Sequence, residues 1–303
     1  MTCSSPTGDR RVRTGRFAPA DYGDRSAGNQ GWYPAWLGPG RITGSHPPPL
    51  APSRRGLTGR AGGCYTPRVG IGQEFQDATG YAAPDGLELP RLEPAGPRAA
   101  ALALPPVEIE GPGLFKMLGA RRSGRQYSGE VLTRAELGAL CWAAQGVTRR
   151  VGEHLLRAAP SAGALYALDL LVALPGPDPA AGVWRYDPAG HSLVPVLRGP
   201  AVPALAGAAL EQAFIKRSAA VFAMVAQPER SVWKYEERAW RYFYLDAGHI
   251  GENLMLAAGA LGLASCGVGA FSDSAVNQLL VLDGVSELPV YLVAVGRPRG
   301  GEA

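Results

Sequence analysis

The sequence lacks several features that mark common classes of protein. None of its apolar runs approaches the roughly 20 residues that a membrane-spanning helix requires. Its four cysteines show no C-x-x-C spacing, and its four histidines have neither metal-ligand spacing nor neighbouring Cys or carboxylate companions, so no metal site is expected. The pair Arg10-Arg11 is not followed by the apolar segment of an export signal. These absences favour a protein of the reducing cytoplasm.

Positive charge is concentrated at the amino terminus. Residues 1–70 contain ten Arg against three Asp, so the net charge of +4 for the 303 residues becomes −3 once this +7 segment is set aside. Nucleic-acid binding needs clustered cationic residues, and the rest of the chain has them at a single place described below. We therefore do not expect the folded part to bind nucleic acid.

The composition divides the chain into three regions. Residues 1–71, rich in Gly, Pro, Ser and Arg and without periodicity, predict a disordered tail. This tail is either a flexible appendage with a partner or the product of a start codon assigned too early. Residues 72–106 predict a Pro-punctuated extended arm with about one helical turn near residues 74–79, of a kind that often wraps a partner subunit. Residues 107–303 predict the folded domain.

Local patterns predict several elements of that domain. The capping box Thr133–Glu136 precedes apolar residues at helical spacing and predicts a helix to about Ala144. Apolar runs predict buried strands at 168–174, 219–226 and 289–295, and turn residues predict a hairpin over 183–197. A long helix is predicted over 237–263, with inward side chains from Tyr242, Leu245, His249, Leu254 and Leu256.

Two motifs indicate a nucleotide cofactor. Arg121, Arg122, Ser123 and Arg125 supply three guanidinium groups and a hydroxyl within five residues, which together can bind a phosphate at several points. Solvated surface arginines are the alternative. The small-residue turn of Pro160, Ser161, Ala162 and Gly163 allows backbone N–H groups to approach a flat or phosphorylated ligand.

Together with Trp142–Thr148, Trp233–Tyr235 and Gly267–Phe271, these motifs make residues from about 73 to 298 resemble the FMN-dependent nitroreductase superfamily. Within it they resemble the SagB-type branch of thiazoline and oxazoline dehydrogenases. The resemblance implies a nitroreductase-like α+β fold with a central, mainly antiparallel sheet sandwiched by helices. It also implies a homodimer with FMN at the interface.

The resemblance assigns roles to individual residues. The arginine motif would bind the FMN phosphate and ribityl chain, and the small-residue turn would face the same cofactor, from the same or the opposite subunit. Gly267, Gly269 and Ala270 would lie against the isoalloxazine ring, with an N–H of Gly269 or Ala270 at flavin N5. Gly267 is alternatively a helix C-cap. Arg297 would add positive charge near the phosphate. The alternative is that Arg297 is a solvated residue of the carboxyl-terminal tail.

Lys234 and Tyr235 are the catalytic residues that the resemblance implies. Desaturation of an azoline transfers a hydride to N5 and a proton to a base, which either side chain would supply. The alternative is a solvated lysine beside a core tyrosine. The expected function is FMN-dependent oxidation of azoline rings in a ribosomally made precursor peptide, with O2 reoxidising the flavin and a cyclodehydratase as partner.

Two other functions remain open at the level of sequence. One is NAD(P)H-dependent reduction of nitroaromatics or quinones, and the other is a flavoprotein that does not turn over and serves as a scaffold in a peptide-modifying complex. The chain also departs from the family pattern at Ala167, Asp169 and Glu252, where Pro, Glu and Gln are common. These departures leave the identity of the substrate open.

Overall fold

The computed structural model describes residues 70–97, 99–107 and 111–300, and all but the last two residues of the predicted tail lie outside this part. Among the described residues, no helix has both the length and the apolar composition to cross a membrane. In chain order the elements are α1 (Ile71–Thr79), β1 (Glu93–Pro94), β2 (Leu102–Ala103), α2 (Leu114–Ala120), α3 (Arg134–Gln145), β3 (Val147–Val151), β4 (His154–Arg157), β5 (Leu168–Leu174), β6 (Gly182–Asp187), β7 (Ser192–Arg198), α4 (Ala201–Ala208), β8 (Ala220–Ala226), α5 (Glu229–Tyr235), α6 (Arg238–Ala260), β9 (Ala264–Val268), α7 (Asp273–Leu280) and β10 (Leu288–Gly296).

Eight strands form one sheet in the order β1-β7-β6-β5-β8-β10-β9, with β2 also paired to β7. Each of these pairings is antiparallel. β5 and β8 lie at the centre. β8 is a continuous apolar run whose seven residues are all buried, and β5 is apolar except for Asp169. Such runs suit strands that are covered on both faces. The predicted strands and hairpin are confirmed as β5, β8, β10 and the β6–β7 pair.

Helices cover both faces of the sheet. Successive side chains of a strand point to opposite faces, so β5 contributes to two separate cores. Leu170 and Val172 pack in the core that contains α3 and α6, whereas Leu171 and Ala173 pack in the core that contains α4 and α7. The fold is therefore α+β with a central antiparallel sheet between helical layers, as predicted.

The capping box of α3 is also confirmed. The Thr133 hydroxyl accepts a hydrogen bond from the Glu136 N–H at 3.2 Å, and the Glu136 carboxylate accepts one from the Thr133 N–H at 2.7 Å. Both groups would otherwise lack partners at the start of a helix. Leu137, Leu140 and Cys141 are buried on the face of α3 that packs against α6.

The helix predicted over 237–263 is confirmed as α6, but part of its predicted inward face is wrong. Two helices, α5 and α6, meet at Glu236, whose φ of 50° cannot continue a right-handed helix. Leu254 is buried as predicted, but Leu245 is 52% exposed and His249 is exposed. The buried face of α6 instead contains Trp240, Phe243, Asp246, Ala247 and Ile250. Apolar residues surround this helix, so periodicity alone did not identify the buried face.

The sequence did not predict β9 or the β3–β4 hairpin. β9 consists mostly of small residues and pairs with β10 at one end of the sheet. β3 is largely exposed, contains Arg149 and Arg150, and pairs with β4 in a separate two-stranded ribbon. Neither strand shows the alternation of apolar and polar residues that a pattern-based prediction depends on.

The arm predicted over 72–106 packs on its own chain. Its helical part, α1, is nine residues long, and the Gly72 N–H donates to the Glu237 carboxylate at 2.8 Å. Further along, β1 and β2 pair with β7. The arm therefore covers one edge of the sheet with backbone hydrogen bonds that an exposed edge strand would leave unpaired.

Candidate functional site

The arginine motif follows α2 and runs beside β9. Ser123 forms a parallel bridge with Ser265, and the Gly124 N–H donates to the Ser265 carbonyl oxygen at 2.9 Å. A methyl group on Gly124 would lie 2.8 Å from Cβ of Ala264, so this close approach of two backbones requires glycine. The motif is therefore fixed to the sheet through its backbone.

A pocket of about 380 Å³ lies between this motif, the second half of α6 and β9. Arg121 and Arg122 are the charged residues that line it. The remainder of its wall is mostly apolar or small, with Met117, Ala120, Met255, Leu256, Gly259 and Leu263 among its residues. An apolar cavity with two guanidinium groups suits a ligand that has a flat apolar body and an anionic group.

The three arginines of the motif point to different partners. Nε of Arg121 lies 4.0 Å from the Glu252 carboxylate, and the Arg122 guanidinium donates to backbone carbonyls at the end of α2. Arg125 is not among the residues that line the pocket; its guanidinium lies near the Cys266 thiol and over the Phe214 ring, 5.9 Å from the ring centroid. Burial raises the pKa of that thiol, and Arg125 opposes the shift. The pocket thus contains two of the three predicted guanidinium groups.

The turn of Pro160, Ser161, Ala162 and Gly163 lies against Lys234 and Tyr235. A methyl group on Gly163 would lie 2.5 Å from the Tyr235 hydroxyl oxygen and 2.8 Å from Nζ of Lys234. Gly163 also has a φ of 61°, which favours glycine. The structure therefore brings the two predicted catalytic side chains together over one glycine of the predicted cofactor-binding turn.

A carboxylate that the sequence analysis missed holds this turn from α6. Asp246 is buried, and it accepts hydrogen bonds from the Ala162 N–H at 3.3 Å and from the Ser161 hydroxyl. Burial raises the pKa of Asp246, and these two hydrogen bonds oppose the shift. The available signal was an acidic residue one turn after Tyr242 within a buried stripe of the long helix.

A second carboxylate anchors α5, the helix that carries Lys234 and Tyr235. Arg230, one turn before Lys234, binds Asp169 of β5 in a bidentate ion pair with distances of 2.6 and 3.2 Å. Arg185 binds the same carboxylate at 2.7 Å. Asp169 thus joins α5 to the centre of the sheet, and this is one of the positions at which the sequence departs from the family pattern.

The segment Gly267–Ala270 lies at the end of β9. Gly267 is a strand residue and not the predicted alternative of a helix C-cap, and a methyl group there would overlap the Tyr291 hydroxyl. Burial raises the pKa of Tyr291. Gly269 is exposed with open space beside it, and the Ala270 carbonyl accepts from Gln212 at 2.9 Å. The backbone at Gly269 is therefore accessible to a ligand.

Gly262 lies just before β9, and Arg297 follows the last strand, β10. The left-handed glycine after α6 is Gly262, with a φ of 70°, and it has the conformation expected of a C-cap. The Arg297 guanidinium binds the carboxylates of Glu136 at 3.0 Å and Glu130 at 3.5 Å. Arg297 would have to leave both carboxylates in order to bind a phosphate.

The pocket and the turn are separate places on the chain. α6 contacts the turn at Asp246 and lines the pocket from Met255 onward, and nine residues of helix span about 14 Å. Among the described residues, none of Pro160–Gly163, Lys234 and Tyr235 lines the pocket. A single copy of the chain therefore does not unite the predicted site residues in one cavity.

The chain is similar to known proteins over most of the described residues. The model of the family described as Nitroreductase family matches residues 118–297, which include the arginine motif, the turn and the Lys234–Tyr235 pair. The chain belongs to the nitroreductase family. Its fold and the names of its relatives are those of oxidoreductases, so this nitroreductase-family chain is an enzyme of that class.

Two relatives and one solved structure illustrate the similarity. MJ1384 of Methanocaldococcus jannaschii, whose name assigns it to the nitroreductases, is 37% identical over 191 residues, 63% of this chain and 93% of that protein. The trifolitoxin-processing protein TfxB of Rhizobium leguminosarum bv. trifolii is 33% identical over 153 residues, 48% of this chain and 41% of that protein. The E. coli microcin synthetase McbBCD complex with truncated pro-MccB17 bound contains a chain of the same fold, with a TM-score of 0.56, 18% identity and coverage of 76% and 92%.

Proposed function

We propose that this nitroreductase-family protein binds FMN and oxidises thiazoline or oxazoline rings in a ribosomally made peptide. The observation that carries the proposal is the convergence of Lys234 Nζ and the Tyr235 hydroxyl on Gly163, at 2.8 and 2.5 Å from a methyl group placed there. Two groups that can exchange protons are thereby held against the turn that we propose faces the cofactor.

The pocket fits the proposed cofactor. Arg121 and Arg122 would hold its phosphate, because guanidinium groups bind phosphate oxygens with charge-assisted hydrogen bonds. The apolar residues from α2 and α6 would contact its ring, and the accessible backbone of Gly269 would face its edge. FMN, when bound, supplies a hydride acceptor at N5.

A homodimer would unite the pocket with the turn. Large apolar side chains are exposed on α2 and α6, with Phe115 at 87%, Leu118 at 48% and Leu245 at 52%. Exposed apolar surface of this kind is typical of protein interfaces. In the proposed dimer, the turn of one copy completes the pocket of the other. Sedimentation velocity should then give twice the chain mass of 31.7 kDa, and a purely monomeric holoenzyme would contradict the dimer.

The chain's own residues would perform the proton transfer. Desaturation of an azoline removes a hydride from one ring carbon and a proton from its neighbour, so a base must lie close to the ring. Lys234 or Tyr235 would take that proton, and the other side chain would hold the ring in register with a hydrogen bond. The ion pair of Arg230 with Asp169 keeps both side chains in place by fixing α5 to β5.

The proposed substrate class is supported by one relative and by the proton-transfer chemistry of Lys234 and Tyr235. TfxB is named for the processing of trifolitoxin, and its similarity supports a peptide as the substrate here. An azoline in a peptide arises by cyclodehydration of Cys, Ser or Thr, so a cyclodehydratase would act first on the precursor peptide. We propose O2 as the final electron acceptor.

The test uses the purified holoenzyme and a peptide that contains a thiazoline. The protein should show the visible absorption of a bound flavin, and the peptide should lose two hydrogen atoms by mass spectrometry in the presence of O2. Lys234→Ala and Tyr235→Phe should each lower this rate by about 10²-fold, within the range for loss of a general base. Lys216→Ala is the matched control, because Lys216 is an exposed lysine that pairs with Glu211 at 3.9 Å.

The second candidate function is NAD(P)H-dependent reduction of nitroaromatics or quinones, and the 37% identity with MJ1384 favours it. The same variants separate the two functions. Quinone reduction needs no base at Lys234 or Tyr235, so both variants should retain it under our proposal. A wild-type protein that reduces menadione with NADPH but leaves the thiazoline peptide unchanged would contradict azoline oxidation and support the second function.

A further inference from the structure

The turn between β4 and β5 adopts backbone conformations that L-residues rarely adopt. Gly163, Ala164 and Tyr166 have φ values of 61°, 53° and 48°. Such conformations are unfavourable for residues other than glycine and persist where neighbouring groups hold them in place. The turn therefore needs fixed partners if Gly163 is to stay beside Lys234 and Tyr235.

Hydrogen bonds from one buried carboxylate provide those partners. Asp246 accepts from the Ala162 N–H and from the Ser161 hydroxyl, and the same Ser161 oxygen accepts from the Tyr166 N–H at 2.9 Å. The chain of bonds runs from α6 through Ser161 to Tyr166 and spans the left-handed residues. Loss of the carboxylate would release both ends of the turn.

The same face of α6 also contacts the Lys–Tyr pair. Tyr242, one helical turn before Asp246, packs edge-on against the Tyr235 ring with 4.9 Å between centroids. α6 thus touches the turn through one side chain and Tyr235 through the other. Both components of the proposed catalytic arrangement are aligned by a single rigid helix.

We propose that Asp246 is a positioning residue that holds the Ser161–Tyr166 turn in register with Lys234 and Tyr235. This role rests on the function proposed above for that pair. A carboxylate suits the role because it only accepts hydrogen bonds, and both groups that face it donate. An amide in its place would present one acceptor and one donor, so Asp246→Asn should keep one of the two bonds and Asp246→Ala should lose both.

Hydrogen exchange of the whole protein measures this role directly. In Asp246→Ala, the amides of Ala162 and Tyr166 should exchange at least tenfold faster than in the wild type, and in Asp246→Asn the acceleration should be smaller. Tyr244→Phe is the matched control, because it removes a hydrogen bond from α6 to Gln76 of α1, away from the turn. The control should leave exchange in the turn unchanged. Unchanged exchange in both Asp246 variants would overturn the proposal.

Kinetics then separate positioning from general stability. Both Asp246 variants should lower kcat for azoline oxidation, and Asp246→Ala should lower it by about 10²-fold, because the catalytic base is misplaced. KM should change less than twofold in both variants, because the substrate still binds. If Asp246→Ala does not fold, the nearly isosteric Asp246→Asn decides. A variant with a loosened turn and unchanged kcat would refute the role. If the wild type itself does not oxidise azolines, the proposed function fails, and exchange still decides whether Asp246 holds the turn.

Discussion

The sharpest test of the candidate site is the substitution Gly163→Ala. The added methyl group would lie 2.5 Å from the Tyr235 hydroxyl and 2.8 Å from Lys234 Nζ, so at least one of these side chains must move. The backbone also has a φ of 61°, and an alanine in the left-handed region costs about 1–2 kcal/mol relative to the usual conformations. Crowding adds about 1–3 kcal/mol if the neighbours shift only in part.

Gly152→Ala separates these two contributions. Gly152 lies in the turn between β3 and β4, has a φ of 57° and has no atom within 4 Å of the added methyl group. It carries the backbone cost without the crowding. Urea denaturation of both variants should therefore show Gly163→Ala to be less stable than Gly152→Ala by about 1–3 kcal/mol.

Activity should distinguish the two glycines more strongly than stability. A displacement of about 1 Å at a catalytic group can lower a rate by about 10²-fold, so Gly163→Ala should lose most of its azoline oxidation while Gly152→Ala retains it. Equal losses of stability in the two variants, together with full activity of Gly163→Ala, would refute the convergence of Lys234 and Tyr235 on this turn.

Three further predictions concern the pocket, the turn and the anchor of α5. Arg122→Ala should weaken FMN binding about tenfold in a fluorescence titration, because it removes one charge-assisted hydrogen bond to the phosphate. The control Arg134→Ala removes only a surface ion pair with Asp178 and should leave FMN binding unchanged. Because burial raises the pKa of Asp246 in the folded state above its ordinary value of 3.8, the folded state binds that proton more tightly than the unfolded state, and this residue's contribution to stability falls as pH rises above 3.8. Asp246→Asn should therefore reduce the fall in urea-measured stability with rising pH, and an unchanged slope would contradict this. Asp169→Asn should lower the free energy of unfolding by about 1–2 kcal/mol. This is less than the loss of a fully buried ion pair would cost, because the two arginine partners of Asp169 are about a third exposed. A loss near zero would show that these ion pairs do not anchor α5.

Local sequence patterns were sufficient for much of the fold. The run at β8 is apolar throughout and that at β5 is apolar except for Asp169, and such runs suit strands that are covered on both faces. The capping box at Thr133 acts over three residues, so its outcome did not depend on the rest of the chain. The composition of the arginine motif predicts an anion site in the same local way, and that prediction awaits the binding experiment above.

Tertiary structure decided the features that depend on which surfaces meet. The exposure of Leu245 follows from how α6 packs on the sheet, which periodicity in an apolar helix does not determine. Arg125 and Arg297 were predicted at the cofactor, but Arg125 lies outside the pocket near Cys266, and the Arg297 guanidinium binds two glutamates brought near by the fold.

The chain alone therefore determined its family, the central strands of its sheet and the residue types proposed for its site. Folding determined that Asp246, distant in sequence, supports the turn, and that about 14 Å of α6 separates this turn from the arginine pocket. The physical reason is the distance along the chain over which each effect acts. Capping, turn and strand preferences act over a few residues, whereas a site is assembled by contacts between segments far apart in the chain.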